Sequence, residues 1–275
     1  MADAAYELLI KPRSGWEGIN LAELWTYREL FGFLVWRDIK IRYKQTLLGG
    51  LWAVLQPLLA MLIFGNLLRR VAMTGVTGPP YMLFLYAGLV PWIFFANSVS
   101  LAGNSMIGNE HLIRKVYFPR ILVPLAAIAA LMLDLLIGLG FTGVLMAYYG
   151  WPLAPTVLLA PLFLGGTFLA AAGLGMFLAA LNVQFRDVKY VVPFLLQMGM
   201  FVTPVIYPLA RVHGKLHLLL ALNPMAGMVE GWRGALLGGA IGWRMVWGSL
   251  GISAALFCFG AMFFQRMERR FADVI

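Results

Sequence analysis

Long apolar runs alternate with short polar segments along this chain. Six such runs lie near residues 47–68, 81–103, 121–149, 153–181, 190–209 and 245–264. About 20 apolar residues in a helix cross the ~30 Å hydrocarbon core of a bilayer. Because backbone polar groups must be satisfied internally in lipid, each run is expected to be a helix. The pattern predicts an all-α integral membrane protein with six transmembrane helices over 47–265, flanked by segments 1–46 and 266–275.

The distribution of charge predicts the orientation of these helices. Lys and Arg number 21 against 12 Asp and Glu, a net charge of +9, and only 12% of the 275 residues are charged. Most basic residues lie in the N-terminal segment, in the connections after the second and fourth runs, and at the C-terminus. The positive-inside rule then places both termini in the cytoplasm. The basic charge is explained by orientation and anionic headgroups, so no nucleic-acid partner is expected.

Residues 20–45 precede the first run and have an amphipathic pattern. One helical stripe holds Leu21, Leu24, Trp25, Phe31, Val35 and Ile39. The apolar stretch 31–36 is too short to cross a bilayer. We therefore predict an N-terminal amphipathic helix lying in the cytoplasmic interface, and a helix packed on a partner protein is the equal alternative.

Residues 210–242 hold two apolar pieces, 216–222 and 225–237, that are each too short to span. Asn223 suits a helix cap, Pro224 a first turn, and Gly238 and Gly239 a helix end. This pattern predicts a re-entrant helical hairpin that acts as an outer gate, with an outer packing lid as the alternative. The candidate gate residues are Asn223, Pro224, Met228, Glu230, Trp232 and Arg233.

The connection 105–120 is rich in charge and has helix signals. Asn109 can cap a helix, Glu110 and Arg114 can pair at i,i+4, and Pro119 ends the pattern. We predict a short cytoplasmic helix that a partner could move, although a solvated loop would fit the same residues.

Several chemistries find little support in the sequence. No Gly-x-x-x-x-Gly-Lys-[Ser/Thr] loop occurs, so the chain is not expected to bind ATP, and no His/Cys pattern indicates a metal. Asp134 is the one carboxylate deep in a run, and a structural role, hydrogen-bonded or protonated, is favoured over proton coupling. The single cysteine, Cys258, is expected to be a small buried apolar residue. Small residues at 171, 175 and 179 predict close helix packing.

Four motifs resemble one known family. They are RYKQTLLGGLWAVLQP at 42–57, LIRKVYFPR at 112–120, TPVIYP at 203–208 and LNPMAGMVEGWR at 222–233. In this order, over nearly the whole chain, they resemble the ABC-2 type permeases that export polysaccharides. The resemblance is greatest to the O-antigen, capsule and teichoic acid exporters.

The resemblance implies a transport permease of the bacterial inner membrane, without enzyme activity or cofactor of its own. It implies a homodimer with two copies of a separate ABC ATPase subunit that binds ATP and Mg. The expected cargo is a polyprenyl-diphosphate-linked polysaccharide, with O-antigen foremost. The loops expected to contact the ATPase hold the coupling residues Glu110, His111, Leu112, Arg114, Lys115, Tyr117, Phe185, Arg186 and Asp187.

A glycan path needs aromatic faces, and the second run could supply them. The candidates are Tyr81, Tyr86, Trp92, Phe94 and Phe95, for which an aromatic interface belt is an equally good explanation. Three other functions stay open. They are ABC-2 export of a smaller lipid or drug, ion-coupled secondary transport, and a membrane glycosyltransferase or phosphatase acting on polyprenyl lipids.

Overall fold

The computed structural model describes residues 21–44, 49–72, 78–185 and 187–274, and every regular element in these ranges is helical. Short 3₁₀ turns precede α3 and α7 and follow α8. The helices are α1 (Leu21–Thr26), α2 (Arg28–Lys44), α3 (Trp52–Ala72), α4 (Tyr81–Gly108), α5 (Glu110–Lys115), α6 (Leu122–Tyr148), α7 (Ala160–Gln184), α8 (Val188–Val202), α9 (Lys215–Ala221), α10 (Pro224–Leu237) and α11 (Trp243–Val274).

Five helices among the described residues are long and apolar enough to cross a membrane. They are α3, α4, α6, α7 and α11, and they match the predicted runs 47–68, 81–103, 121–149, 153–181 and 245–264. The run 190–209 forms only the 15-residue α8, which rises about 22 Å. Pro204 ends this helix because the residue before a proline favours an extended backbone, as Thr203 has here. Six complete spans therefore remain a prediction.

Close backbone packing of α7 organises the centre of the bundle, since α7 lies between α4 and α11. On the α4 side, a Cβ added at Gly175 would come within 2.7 Å of the Ala102 Cβ. On the α11 side, a Cβ at Gly173 would lie 2.5 Å from the Leu256 carbonyl oxygen, and one at Gly260 would collide with the Gly173 carbonyl. The packing role predicted for the small residues of the fourth run is confirmed, within this one chain.

The segment before α3 is helical, as predicted, and the predicted stripe forms part of its packed face, since Leu24, Phe31 and Val35 pack against the core. Tyr27 lies between α1 and α2, and helical hydrogen bonds continue through it, from the Tyr27 N–H to the Glu23 carbonyl and from the Phe31 N–H to the Tyr27 carbonyl. The buried residue of α2 is Leu34, which lies off the predicted stripe, whereas Trp25 on that stripe is exposed. α2 packs against α6, so its inner face contacts this chain rather than only lipid. The prediction of burial at Cys258 is also wrong, because this side chain is exposed on α11.

Candidate functional site

The helix α10 is buried inside the protein and has the ends that the sequence predicts. The Asn223 side chain accepts a hydrogen bond from the Met225 N–H at 2.9 Å, and Pro224 occupies the first turn. Gly238 ends the helix in the left-handed conformation, with φ of 75°. α10 packs on α4, α7 and α11, while α9 before it is mostly exposed. The prediction that α9 and α10 form a re-entrant hairpin in the bilayer stays a prediction.

Arg233 on α10 is the most constrained charged residue at this end of the bundle, only 4% exposed. Its Nε donates to the Phe84 carbonyl at 3.1 Å, and its Nη1 donates to the Pro204 carbonyl at 2.6 Å. Its Nη2 donates to the Val205 carbonyl. The guanidinium also lies 3.7 Å from the centre of the Phe84 ring. Arg233 therefore joins α4, α10 and the chain that follows α8.

Tyr81 at the start of α4 completes this arrangement. Its hydroxyl donates to the Ile206 carbonyl at 2.9 Å, and its ring stacks on Phe84 at 6.2 Å. Three consecutive carbonyl groups, at residues 204–206, are thus held by Arg233 and Tyr81, and we call this arrangement the carbonyl clamp. Asn223 adds a link to the same turn, since its Nδ2 donates to Thr203 Oγ1 at 2.9 Å.

The other predicted gate residues also lie around α10. Met228 and Trp232 are buried in the core, and Trp232 Nε1 donates to Thr167 Oγ1 at 3.4 Å. Glu230 Oε2 lies 3.4 Å from Arg233 Nη1, which is longer than the hydrogen bonds from Arg233 to the carbonyl groups of the clamp. The structure therefore brings the six predicted residues together at one end of the bundle, and their role as a gate stays a prediction.

The predicted glycan-path aromatics are all buried within the protomer. Trp92 packs on Phe95 with ring centres 5.6 Å apart, and Tyr86 packs on Phe141 at 5.4 Å. Tyr81 belongs to the carbonyl clamp. A role for these side chains in a glycan path remains a prediction, since a glycan could reach them only after the helices move. The exposed aromatic side chains of α8, which the sequence analysis did not select, are Tyr190, Phe194 and Phe201.

The predicted coupling residues lie at the opposite end of the bundle. Glu110 and Arg114 form the expected i,i+4 ion pair at 2.7 Å on α5. Arg114 and Tyr117 are about 60% exposed, and His111 and Lys115 are also exposed, whereas Leu112 is half-buried. At the end of α7, Phe185 and Asp187 are exposed, and Arg186 lies outside the described residues.

A buried amide holds the two coupling segments on one side of the bundle. Asn182 Nδ2 near the end of α7 donates to the Gly103 carbonyl and to Asn104 Oδ1 on α4, both at 3.0 Å. Because α4 leads into α5, this bond keeps the ends of α4 and α7 adjacent. The exposed residues of both predicted coupling segments therefore face the same side of the molecule.

Asp134 on α6 is a paired structural carboxylate, as the sequence analysis favoured. Its Oδ2 lies 2.7 Å from Arg42 Nη2, and its Oδ1 accepts a hydrogen bond from the Tyr43 hydroxyl. Burial and then the bond to Asp134 raise the pKa of Tyr43, so the phenol stays protonated and remains a donor. Both partners come from the last turn of α2. The carboxylate therefore fixes α2 against α6, beside a cavity of about 20 Å³ that Gln56 and Asn97 also line.

A double-mutant cycle on Arg42→Gln and Asp134→Asn is expected to give a coupling free energy of about 1 kcal/mol, because Arg42 is partly exposed. Thermal unfolding in detergent would measure it. Arg37 and Asp38, also 2.7 Å apart, are neighbours on α2 and serve as a control pair. Their loss leaves the α2–α6 contact intact. Equal protease sensitivity of α2 in both sets of variants would contradict the role of Asp134.

These features define a multi-pass helical membrane protein with a buried non-spanning helix at one end and an exposed charged helix at the other. The sequence profile of the ABC-2 type transporter family matches residues 29–237. That match covers most of the chain, so the protein belongs to the ABC-2 type transporter family.

Similar proteins have names that agree with the family. The chain is 36% identical over 219 residues to the O-antigen export system permease protein RfbA of Myxococcus xanthus, covering 77% of this chain and 81% of that protein. It is 29% identical over 240 residues to RfbA of Klebsiella pneumoniae, covering 87% and 92%. It is 27% identical over 223 residues to the polysialic acid transport protein KpsM of Escherichia coli, covering 74% and 80%.

Proposed function

We propose that this protein is the membrane subunit of an exporter that moves a polyprenyl-diphosphate-linked polysaccharide out of the cytoplasm. O-antigen is the proposed cargo. The observation that carries the proposal is the 36% identity to an O-antigen export permease over 77% of the chain. The pairing of Asp134 with Arg42 and Tyr43 supports this function over ion-coupled transport, because the one deep carboxylate has a structural role.

The energy source in this proposal is a separate ABC ATPase, present in two copies and binding ATP and Mg. The exposed side chains of α5 and of residues 185 and 187 support a docking surface for it. This surface would face the cytoplasm of the bacterial inner membrane, as the basic segments favour, with both chain termini on the same side. α10 and the carbonyl clamp would then lie at the outer side.

A homodimer is the proposed assembly. The outward faces of α3 and α8 are apolar and little covered by the chain, with Ile63, Leu67 and Phe194 among the exposed side chains. The two faces adjoin, since the Phe64 and Phe201 rings meet edge to face at 6.1 Å. A second copy against these faces would place the short helix α8 of each protomer near a shared axis, where a path for the glycan could form.

Purification from the native membrane in mild detergent tests this function. We expect an ATPase subunit with a phosphate-binding loop to co-elute in equal amount, and the complex to hydrolyse ATP. Deletion of the gene is expected to abolish surface O-antigen while lipid-linked polymer accumulates inside the cell. Normal surface polymer in the deletion strain would overturn the proposal, as would a pure permease with no nucleotide-binding partner.

Arg114→Glu is expected to reduce export at least tenfold while leaving the permease folded. The surface pair with Glu110 contributes at most about 1 kcal/mol, so the effect would come from lost docking. Co-purification of the ATPase and surface polymer would be measured together. Arg244→Glu, an exposed arginine at the start of α11, is the control and should keep both. Unchanged ATPase binding by Arg114→Glu would show that α5 is not the docking helix.

A further inference from the structure

The last helix contacts the segment that follows α5. Arg120 precedes α6, and its backbone N–H donates to Glu268 Oε1 on α11 at 3.2 Å. Its Nη1 donates to the Glu268 carbonyl oxygen at 2.7 Å. A carboxylate at the start of a helix satisfies a free N–H group and interacts favourably with the helix dipole. Glu268 therefore stabilises the start of α6 from a position 148 residues later in the chain.

The segment from α5 to the start of α6 can pass a displacement on because part of it is buried. Ile113, Phe118 and Ile121 insert into the core, while Arg114 and Tyr117 stay exposed. Arg120 follows the end of α5 by only five residues, so a force on the exposed residues of α5 would reach it over a short stretch of chain. The bonds from Arg120 would then transfer it to the end of α11.

The other part of α11 holds the first turn of α10. Ser249 Oγ accepts a hydrogen bond from the Gly227 N–H at 2.9 Å and donates to the Asn223 carbonyl at 3.2 Å. A Cβ at Gly227 would lie 2.5 Å from the Met245 carbonyl oxygen, so the two helices meet backbone to backbone. The start of α10 therefore cannot move independently of α11.

Between these two contacts α11 is one unbroken helix. Residues 249–268 contain no proline, and their axis is about 28 Å long. Gly260 presses against Gly173 of α7 midway along it. A packed helix of this kind transmits a shift along its length, since its interior contacts resist compression.

We propose that α11 is the mechanical connection between the docking surface at α5 and the buried helix α10, with Glu268 and Ser249 as positioning residues at its two ends. This inference rests on the proposed ATP-driven function. ATP binding in the partner would displace α5, and Arg120 would carry the displacement through Glu268 to α11. Ser249 would then move the start of α10 and, through Asn223, the turn that the carbonyl clamp holds.

The test measures a conformational change at α9, next to α10, while the contacts of α11 are altered by substitution. In a Cys258→Ala parent, Leu218→Cys places one exposed thiol on α9, next to α10. The purified complex with its ATPase is reconstituted in liposomes, and the rate of labelling by a water-soluble maleimide is measured with and without ATP. We expect ATP to change the rate at least threefold in the parent. The double variant Arg120→Met/Glu268→Ala removes both the guanidinium bond and the carboxylate bond between these residues, and it should abolish the change. Ser249→Ala should abolish it as well, and both variants should raise the ATP hydrolysed per polymer exported.

Two further variants separate positioning from general damage. Glu268→Gln keeps an oxygen that can accept the Arg120 N–H, so it should retain at least half of the response. Met262→Ala changes an exposed side chain of α11 and should retain all of it. A response that persists in both Arg120→Met/Glu268→Ala and Ser249→Ala would overturn the inference, as would a parent that exports polymer without any labelling response. A complex without ATP hydrolysis or export would instead overturn the proposed function.

Discussion

Gly260→Ala is expected to separate α7 from α11 and to destabilise the protein by about 3 kcal/mol. The added methyl group would collide with the Gly173 carbonyl, and neither backbone can move without shifting a whole helix. For a chain of this size the loss corresponds to a fall in melting temperature of roughly 6–12 °C. Thermal unfolding of the detergent-solubilised permease would measure it.

Gly251→Ala on the same helix is the matched control for this substitution. A Cβ at Gly251 meets no atom within 4 Å, so the change should be neutral or slightly stabilising, as alanine favours a helix more than glycine does. Equal melting temperatures for the two variants would mean that α7 and α11 do not approach as closely as the structure has them. The proposed transmission through α11 would then lose its central support.

Arg233→Met is expected to reduce export at least tenfold by undoing the carbonyl clamp. Methionine fills much of the same space but leaves the carbonyl groups of Pro204 and Val205 without the Arg233 donor, and it removes the additional bond to the Phe84 carbonyl inside α4. Each hydrogen bond from a charged group contributes about 1.5–3 kcal/mol, and a buried carbonyl left without a donor costs about 1–3 kcal/mol. The amount of surface polymer would measure the loss of export. The maleimide accessibility of a cysteine introduced as Ile206→Cys would measure the opening of the clamp.

Gly88→Ala tests the same clamp without touching the arginine. A Cβ there would come within 2.9 Å of the Arg233 Cζ and force the guanidinium away from its carbonyls, so a similar loss of export is expected. Arg244→Met removes an exposed arginine and should have little effect, within about 0.5 kcal/mol. If Arg233→Met exported polymer at the wild-type rate, the clamp would be dispensable for transport.

Local signals account for the parts of the fold that sequence analysis identified. The five confirmed spans come from apolar length, which needs no knowledge of neighbours. The ends of α10 follow from the chemistry of Asn223, Pro224 and Gly238, and α5 from its Glu110–Arg114 spacing. The mostly apolar composition of the run at 190–209 predicts one span, yet Pro204 ends the helix after Val202.

Contacts between distant parts of the chain could not be predicted in this way. Gly260 looks like a weak point in a helix until Gly173 is placed beside it. Glu268 looks like a solvated charge near the C-terminus until Arg120 reaches it. Residue type alone identifies the candidate aromatics of the second run, and only packing shows that they are buried. In each case the missing information is which helix lies next to which.

The pairing of Asp134 also has a consequence for biogenesis. Tyr43 is synthesised 91 residues before Asp134, and Arg42 is synthesised just before Tyr43. At 5–20 residues per second, the ribosome needs roughly 5–18 s to cover that distance. We expect α2 to lie at the headgroups during this time, with Arg42 facing anionic lipid. When α6 leaves the translocon, its acidic residue therefore meets a cation that is already in place, which lowers the cost of inserting a helix with a charge in its interior.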